Sequence, residues 1–450
     1  MKPGMVHFGA VEPRTRGPVF CPHFGPCGGC SELDLHYTAE LERKEAAFRS
    51  LVAATPALRG AEVLPILGAR QPLFWRTSLK LPFARRGRRC VCGFFEPGSH
   101  RIVDLQTCAV QHPLLLELAL ETRALVQRLR VPVYDEIAHR GVLRHLVARV
   151  GMGTEELLAG LVVREEGHPA VARLAQGLWE RFANRGLVGV VESLNPERTN
   201  VILGGRVRRL AGREWLEEHG DGLAFRTSLA TFVQVNNAQA EVLYGEIGRF
   251  LGEVKGKRIA DLYSGFGPIG LRLARRGAKV LAVERNDAAV REGVEAARRN
   301  GLEKNLRFVG GAVETVLPRL GLTASKGPAR NESGRGVRSQ PGGIGPSARD
   351  LDVVVVDPPR RGLTPGLIEQ FGALRFPTLL VDEPAYDRIE SLSREAGGPG
   401  LVLPTVFLTD NRGKILTVLR GKEVEGLEGR LRRVLQEIVT RPSSPIFWER

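Results

Sequence analysis

Residues 257–286 read KRIADLYSGFGPIGLRLARRGAKVLAVERN, and the reading of this stretch decides the fold. Residues 258–263 are short, apolar and β-prone, and Gly265-x-Gly267-x-x-Gly270 follows them at once. The LRLARRG segment then has apolar residues at helical spacing, with Gly277 as its stop. Residues 280–283 form a second strand, and Glu284 closes it. An acidic side chain about twenty residues past such glycines, in a βαβ unit, accepts hydrogen bonds from the two hydroxyls of a ribose. The expectation is a doubly wound, Rossmann-like α/β domain with a nucleotide-like ligand at its strand ends.

The glycine spacing alone suits a dinucleotide as well as S-adenosylmethionine. Asp261, four residues before Gly265 at the carboxyl end of the strand, favours the latter. A carboxylate there repels a pyrophosphate but suits an ammonium and a sulfonium.

At 450 residues the chain is long enough for two or three domains, each with its own core. No apolar run approaches a membrane span, and residues 1–20 hold no signal-peptide core between Lys2 and Arg16, so a cytoplasmic protein with no membrane partner is expected. A net charge of +15, from 65 Lys and Arg against 50 Asp and Glu, favours a polyanionic partner. Nothing in the sequence calls for an obligate protein partner, and a monomer is expected.

All six cysteines lie before residue 110. Cys21, Cys27 and Cys30 sit in CPHFGPCGGC, where glycines and prolines let a tight loop turn several thiolates to one point. A fourth ligand must come from Cys90, Cys92 or Cys108, and Cys108 follows RIVDLQT, a strand end that brings it towards the loop. Spacing alone leaves zinc and an iron–sulfur cluster even.

Residues 33–53 read as a helix. Residues 61–214 change to short β-like runs, among them FWRTSLKLPF, CVCGFFEPG, GVLRHLVARV, ELLAGLVVR and TNVILGG, with one helix at residues 114–130. Arg85, Arg86, Arg88 and Arg89, with Phe74, Trp75 and Arg76, suit an RNA-gripping surface or, equally, a basic turn beside a core tryptophan. From Arg226 a strand leads to a helix, and Gln234 and Asn236 lie at the join, placed for a ligand or for capping. Residues 321–349 are rich in Gly, Ser, Pro and Arg and predict a disordered insertion. LDVVVV at 351–356 is a buried parallel strand ending in Asp357, the best single candidate for a residue touching cofactor and substrate together. Two more strands follow, and residues 421–450 read as a helical tail.

CPHFGPCGGC, GFFEPGSHRIVDLQTC, GVLRHLVARV, NPERTNVILGG, FVQVN, DLYSGFGPIG, AVERN and DPPRRGL, in this order, resemble the TrmA/RumA family of RNA (uracil-5-)-methyltransferases. The resemblance runs from Cys21 to Arg420. It implies a four-iron, four-sulfur (4Fe-4S) cluster on Cys21, Cys27, Cys30 and Cys108. It also implies S-adenosylmethionine contacts from Gln234, Tyr263, Pro268, Glu284 and Asp357, beside Asp261, Gly265 and Gly267 of the turn, and an rRNA or tRNA substrate. Organised on that family, residues 1–60 are the cluster loop and helix, 61–220 a central β-rich RNA-binding domain, and 221–420 a class I methyltransferase domain. Many members begin with a small β-barrel, for which the position of Cys21 leaves no room.

The departures concern the chemistry. Family members add a cysteine thiolate to carbon 6 of the uracil, from a motif like S-C-N-P. Here the corresponding stretch is Val381-Asp382-Glu383-Pro384, and no cysteine follows Cys108. A carboxylate is a poorer Michael nucleophile than a thiolate. The family's F-P-H-T-x-H-x-E matches LPTVFLTD, which puts Asp410 at the base and loses both histidines. Ala312 stands where many members have an acidic or amide residue near the adenine. The expected function is therefore RNA methylation at another atom, an exocyclic nitrogen or a ribose oxygen, with Asp357, Asp382 or Asp410 orienting the acceptor and taking its proton. The competing readings are a catalytically silent RNA-binding or assembly protein that keeps the cofactor fold, and uracil-5 methylation by an unrecognised nucleophile.

Overall fold

The computed structural model describes residues 17–54, 63–319, 351–357, 378–382, 405–409 and 415–416. The predicted insertion at 321–349 and the tail at 421–450 lie outside the described residues. The chain divides into two compact units, Met1–Glu42 with Ile66–Glu246, and Arg43–Pro65 with Ile247–Arg450. Helix α1 (Tyr37–Ala54) crosses one boundary and starts four residues later than the apolar pattern implies. Among the described residues no helix is long and apolar enough to cross a membrane.

The first unit is built on a seven-stranded sheet in the order β3-β2-β1-β4-β5-β6-β7. Its strands are β1 (Ser78–Arg86), β2 (Arg89–Phe95), β3 (Ile102–Asp104), β4 (Leu143–Val150), β5 (Leu157–Val163), β6 (Leu187–Leu194) and β7 (Arg206–Gly212). Helix α2 (Pro113–Arg128) lies where the apolar spacing predicts it. A second helix, α3 (Pro169–Phe182), links β5 to β6 and makes theirs the parallel pair of the sheet. Its signal is the spacing of the buried Val171, Leu174, Leu178 and Phe182 behind Pro169 at the first helical position. Short β-like runs on both sides hide it.

Strand β4 is buried at every residue although it carries Arg144, His145 and Arg149. Burial holds His145 neutral, and the two guanidinium groups are accommodated because their Nη donors meet main-chain oxygens. Arg144 Nη1 donates to Asn195 O and Glu197 O, both at 2.7 Å. Arg149 donates to Ser228 O at 3.1 Å and Thr231 O at 2.6 Å, and so anchors the loop after the hairpin of β8 (Leu216–Gly220) and β9 (Leu223–Thr227). One expectation fails here. TNVILGG is an irregular loop, not a strand, because its polar groups are taken from the side: Asn195 Nδ2 donates to Val201 O and Ile202 O, and Gly204 N donates to Ser193 Oγ.

The second unit follows helix α4 (Asn237–Leu251) and alternates β10 (Arg258–Leu262), α5 (Pro268–Arg275), β11 (Lys279–Glu284), α6 (Asp287–Arg299), β12 (Leu306–Gly310) and α7 (Val313–Arg319). Then come β13 (Val353–Val356), β14 (Thr378–Asp382), β15 (Thr405–Thr409) and β16 (Ile415–Leu416). The sheet order is β12-β11-β10-β13-β14-β15-β16, parallel from β12 through β14 and antiparallel beyond. The predicted doubly wound α/β sheet is thus present, and the chain reverses its direction of travel across the sheet at β10.

Phe308 on β12 props the glycine turn from below. A methyl on Gly267 would lie 2.6 Å from its ring, and one on Gly293 of α6 would lie 2.3 Å from it and 2.8 Å from Phe266 O. Gly293→Ala is therefore expected to lower stability by about 1–3 kcal/mol through overpacking, and Phe308→Leu in the same chain to restore part of it. Urea unfolding of the two variants checks this; equal midpoints for Gly293→Ala and the unaltered protein would contradict it.

Candidate functional site

The turn after β10 is shaped by three residues in the left-handed region: Tyr263 (φ 58°), Gly265 (φ 58°) and Gly267 (φ 83°). A bulky residue such as Tyr263 adopts this conformation only where its surroundings hold it. Here its hydroxyl donates to Glu314 Oε1 at 2.8 Å, on α7. Burial and that hydrogen bond raise the phenol's pKa. Pro268 opens α5, where its missing N–H costs nothing.

Glu284 joins the turn to the end of β11. Its Oε2 accepts from Gly265 N at 2.9 Å and its Oε1 from Asn286 N at 2.7 Å. The carboxylate is therefore fixed in place, with lone pairs left over for a ligand.

Asp261 is fully buried beneath the turn, and its Oδ2 accepts from Gly270 N at 2.9 Å. Its Oδ1 is buried and meets no hydrogen-bond donor, and Ser264 Oγ, three residues on, is likewise buried without a partner. Burial pushes the Asp261 carboxyl up to about 7, helped by the charge of Glu284 and opposed by the Gly270 N–H. The sign follows. Between the ordinary carboxylate range and pH 7 the folded chain holds a proton that the unfolded chain has lost, so this contribution to stability falls as pH rises through that window. Asp261→Asn is expected to remove a slope of up to about 1.4 kcal/mol per pH unit from the unfolding free energy between pH 5 and about 7. Denaturant unfolding at several pH values checks it, and parallel profiles for the two proteins would contradict it.

Register gathers the other candidates on one edge of the sheet. Glu284 pairs with Gly310, Leu262 with Val356, and Val356 with Leu380. Asp357 follows β13 directly and donates its N–H to Leu262 O at 3.2 Å. Asp382 is the last residue of β14. Tyr263, Glu284, Asp357 and Asp382 thus stand at the carboxyl ends of neighbouring parallel strands, two on each side of the reversal, which is where open α/β sheets bind ligands. Strand β15 runs the other way, so its first residue, Thr405, is the partner of Asp382. Asp410 lies outside the described residues.

Gln234 belongs to the first unit, in the loop between β9 and α4. Its neighbour Asn236 caps α4, accepting from Gln239 N at 3.1 Å, which is the simpler of the two roles its position suggests.

A second cluster of chemistry lies wholly in the first unit. Cys21, Cys27, Cys30 and Cys108 line one cavity, together with Arg76 and Gln111. The loop is folded by Phe24 N to Cys21 O and Cys27 N to His23 O, and Gln106 N donates to His23 Nε2 at 3.1 Å, joining it to the segment of Cys108. Burial first, then the neighbouring thiols, pushes Cys30 up to about 12. Backbone N–H groups lean the other way: Gly29 towards the Cys27 sulfur, Val110 and Gln111 towards that of Cys108. Cys90 and Cys92 are apart from this group, buried in β2 with their pKa values raised by burial.

The arginine patch is less free than its sequence implies. Arg85 donates to Gln127 Oε1 and Val131 O, Arg86 to Ile102 O, and Arg89 to Asp104 at 2.9 Å. Trp75 is half-buried, while Phe74 is 43% exposed and held at φ 56°.

No protein-family model matches the chain. An uncharacterized RNA methyltransferase of Halalkalibacterium halodurans is 31% identical over 360 residues, which span 80% of this chain and 72% of that protein. The chain belongs to the TrmA/RumA-like family of RNA methyltransferases. Another member, an uncharacterized RNA methyltransferase of Gloeobacter violaceus, is 33% identical over 350 residues, covering 78% of this chain and 70% of its own. Among solved structures, the Pyrococcus abyssi tRNA (uracil-54, C5)-methyltransferase in complex with S-adenosyl-L-homocysteine superposes with a TM-score of 0.58. It is 21% identical, covers 83% of this chain and 79% of its own, and shows the shared fold. For a methyltransferase of this family, two residues escaped the reading of the sequence: Glu314, which holds Tyr263, and Gln111 in the cysteine cavity; Arg76, read as part of an RNA-gripping surface or a basic turn, lines that cavity as well. Glu314 was legible as an acidic residue in the first turn of α7; Gln111 carries no local signal.

Proposed function

We propose that this chain transfers the methyl group of S-adenosylmethionine to an rRNA or tRNA, at an atom other than carbon 5 of uracil. The observation that carries the reading is the immobilised Glu284 carboxylate, bonded to Gly265 N and Asn286 N at the strand-end edge where the sheet reverses. In this reading Glu284 receives the ribose hydroxyls and the turn of Tyr263, Gly265, Gly267 and Pro268 forms the floor. Asp261 braces Gly270 N beneath that floor, and Asp357 supplies a further contact. S-Adenosylmethionine, when bound, provides an electrophilic methyl group on a sulfonium.

The choice of acceptor atom follows from the thiols. Attack by carbon 5 needs a prior adduct at carbon 6, and no cysteine follows Cys108. Cys90 and Cys92 are buried, protonated thiols in a sheet and serve no external base. A nitrogen or ribose oxygen has its own lone pair, so orientation and removal of one proton suffice. Asp357 and Asp382, at adjoining strand ends, are assigned that work, with Asp410 a third candidate beyond the described residues.

The cysteine cavity suits a 4Fe-4S cluster on Cys21, Cys27, Cys30 and Cys108. Its donor set is four thiols; burial raises Cys27 and Cys108, and the backbone N–H groups of Gly29, Val110 and Gln111 oppose that rise. Among the described residues no three His, Cys, Asp or Glu side chains converge on one ion position.

Calorimetric titration with S-adenosylmethionine tests the cofactor reading: a saturable heat that is lost in Glu284→Ala is expected. No heat from the unaltered chain would leave the silent RNA-binding protein as the better account.

A further inference from the structure

Gln111 is 1% exposed, and both ends of its side-chain amide, Nε2 and Oε1, are buried without a hydrogen-bond partner. An amide stranded in this way costs roughly 1–3 kcal/mol and in a native fold points to a group that satisfies it. Gln111 is one of the residues lining the cavity of the four cysteines, and its main chain is pinned by the bridge between Arg76 and Gln111. Among the described residues no carboxylate lines that cavity. The acceptors a ligand would bring there are anionic sulfurs, and the donor waiting for them is an amide N–H.

We propose that Gln111 donates a side-chain N–H···S hydrogen bond to the metal-bound sulfur in this cavity. The proposal rests on the four-iron reading given above. It makes Gln111 a positioning and tuning residue, not a ligand: the bond holds the amide, fixes the cluster against the wall formed by residues 107–111, and favours the reduced cluster, which carries one more negative charge. The backbone N–H groups near Cys27 and Cys108 act in the same direction but survive any side-chain substitution, so the contribution of Gln111 is separable from theirs.

The test uses the full chain, purified anaerobically with its iron and sulfide assayed first. Potentiometric titration of the unaltered protein and of Gln111→Leu should show the variant holding the same iron but reducing at a lower potential, with Gln111→Asn lying between. Pulsed electron–nuclear double resonance of the reduced protein, labelled with nitrogen-15 in the glutamine side-chain amides, should show a nitrogen coupling that Gln111→Leu lacks. This second readout also works in the unaltered chain, should the variant fold poorly. Iron present with neither the coupling nor a change in potential would overturn the role of Gln111 alone. Absence of iron from the unaltered protein would overturn the cluster reading and this inference with it.

Discussion

Asp357→Asn is expected to slow methyl transfer to RNA by about 10²- to 10⁴-fold, the usual loss when a positioned acid–base group is neutralised. Asparagine keeps the shape, so the hydrogen bond from residue 357 N to Leu262 O and the end of β13 should survive. The loss should therefore appear in a single-turnover rate with saturating RNA more than in the RNA concentration needed for half-saturation. Asp382→Asn, one strand over by the register of Val356 with Leu380, is expected to show a loss of the same kind. If one of the two falls and the other does not, the base is assigned. Single-turnover assays with labelled S-adenosylmethionine decide it, and full activity in both variants would remove these carboxylates from the mechanism.

Cys30→Ser is expected to abolish cluster loading, taking iron from about four per chain to nearly none. Cys30 lines the cavity with Cys21, Cys27 and Cys108. Cys92→Ser is the control, because Cys92 is buried in β2 away from the cavity. It should keep its iron and lose roughly 1–3 kcal/mol of stability to a buried hydroxyl. Iron analysis with unfolding curves separates the two, and equal iron in both variants would contradict the assignment of Cys30.

The parts of this molecule legible in its sequence are those whose signal is local. The glycine turn, its strands and Glu284 declare themselves because left-handed backbone, apolar runs and an acidic strand end occupy consecutive residues. What stayed hidden depends on partners far away in the chain. Arg149 in an apolar strand looks like an exposed alternation, yet it is buried because residues 228 and 231 bring carbonyls to it. TNVILGG has β-prone composition, but Asn195 and Ser193 satisfy its backbone from the side, and no ladder forms. Asp261 was read as a charge facing the cofactor, while the fold gives it a second task, bracing Gly270 N with one oxygen. Gln111 and Arg76 enter the cysteine cavity only because an isolated bridge joins their segments. Cys21, Cys27 and Cys30, by contrast, were legible as a group from their spacing, while the choice of Cys108 over Cys90 and Cys92 came with the family resemblance.

The central claim is that a working methyltransferase site has lost the thiol chemistry and acts on an atom with its own lone pair. Mass mapping of ribosomal and transfer RNA from a deletion strain, against the same strain carrying the gene, tests it most directly. The expected result is one methylated nucleotide that vanishes and returns, bearing its methyl on an exocyclic nitrogen or a ribose oxygen. Loss of a 5-methyluridine instead, or no change anywhere in the map, would contradict it.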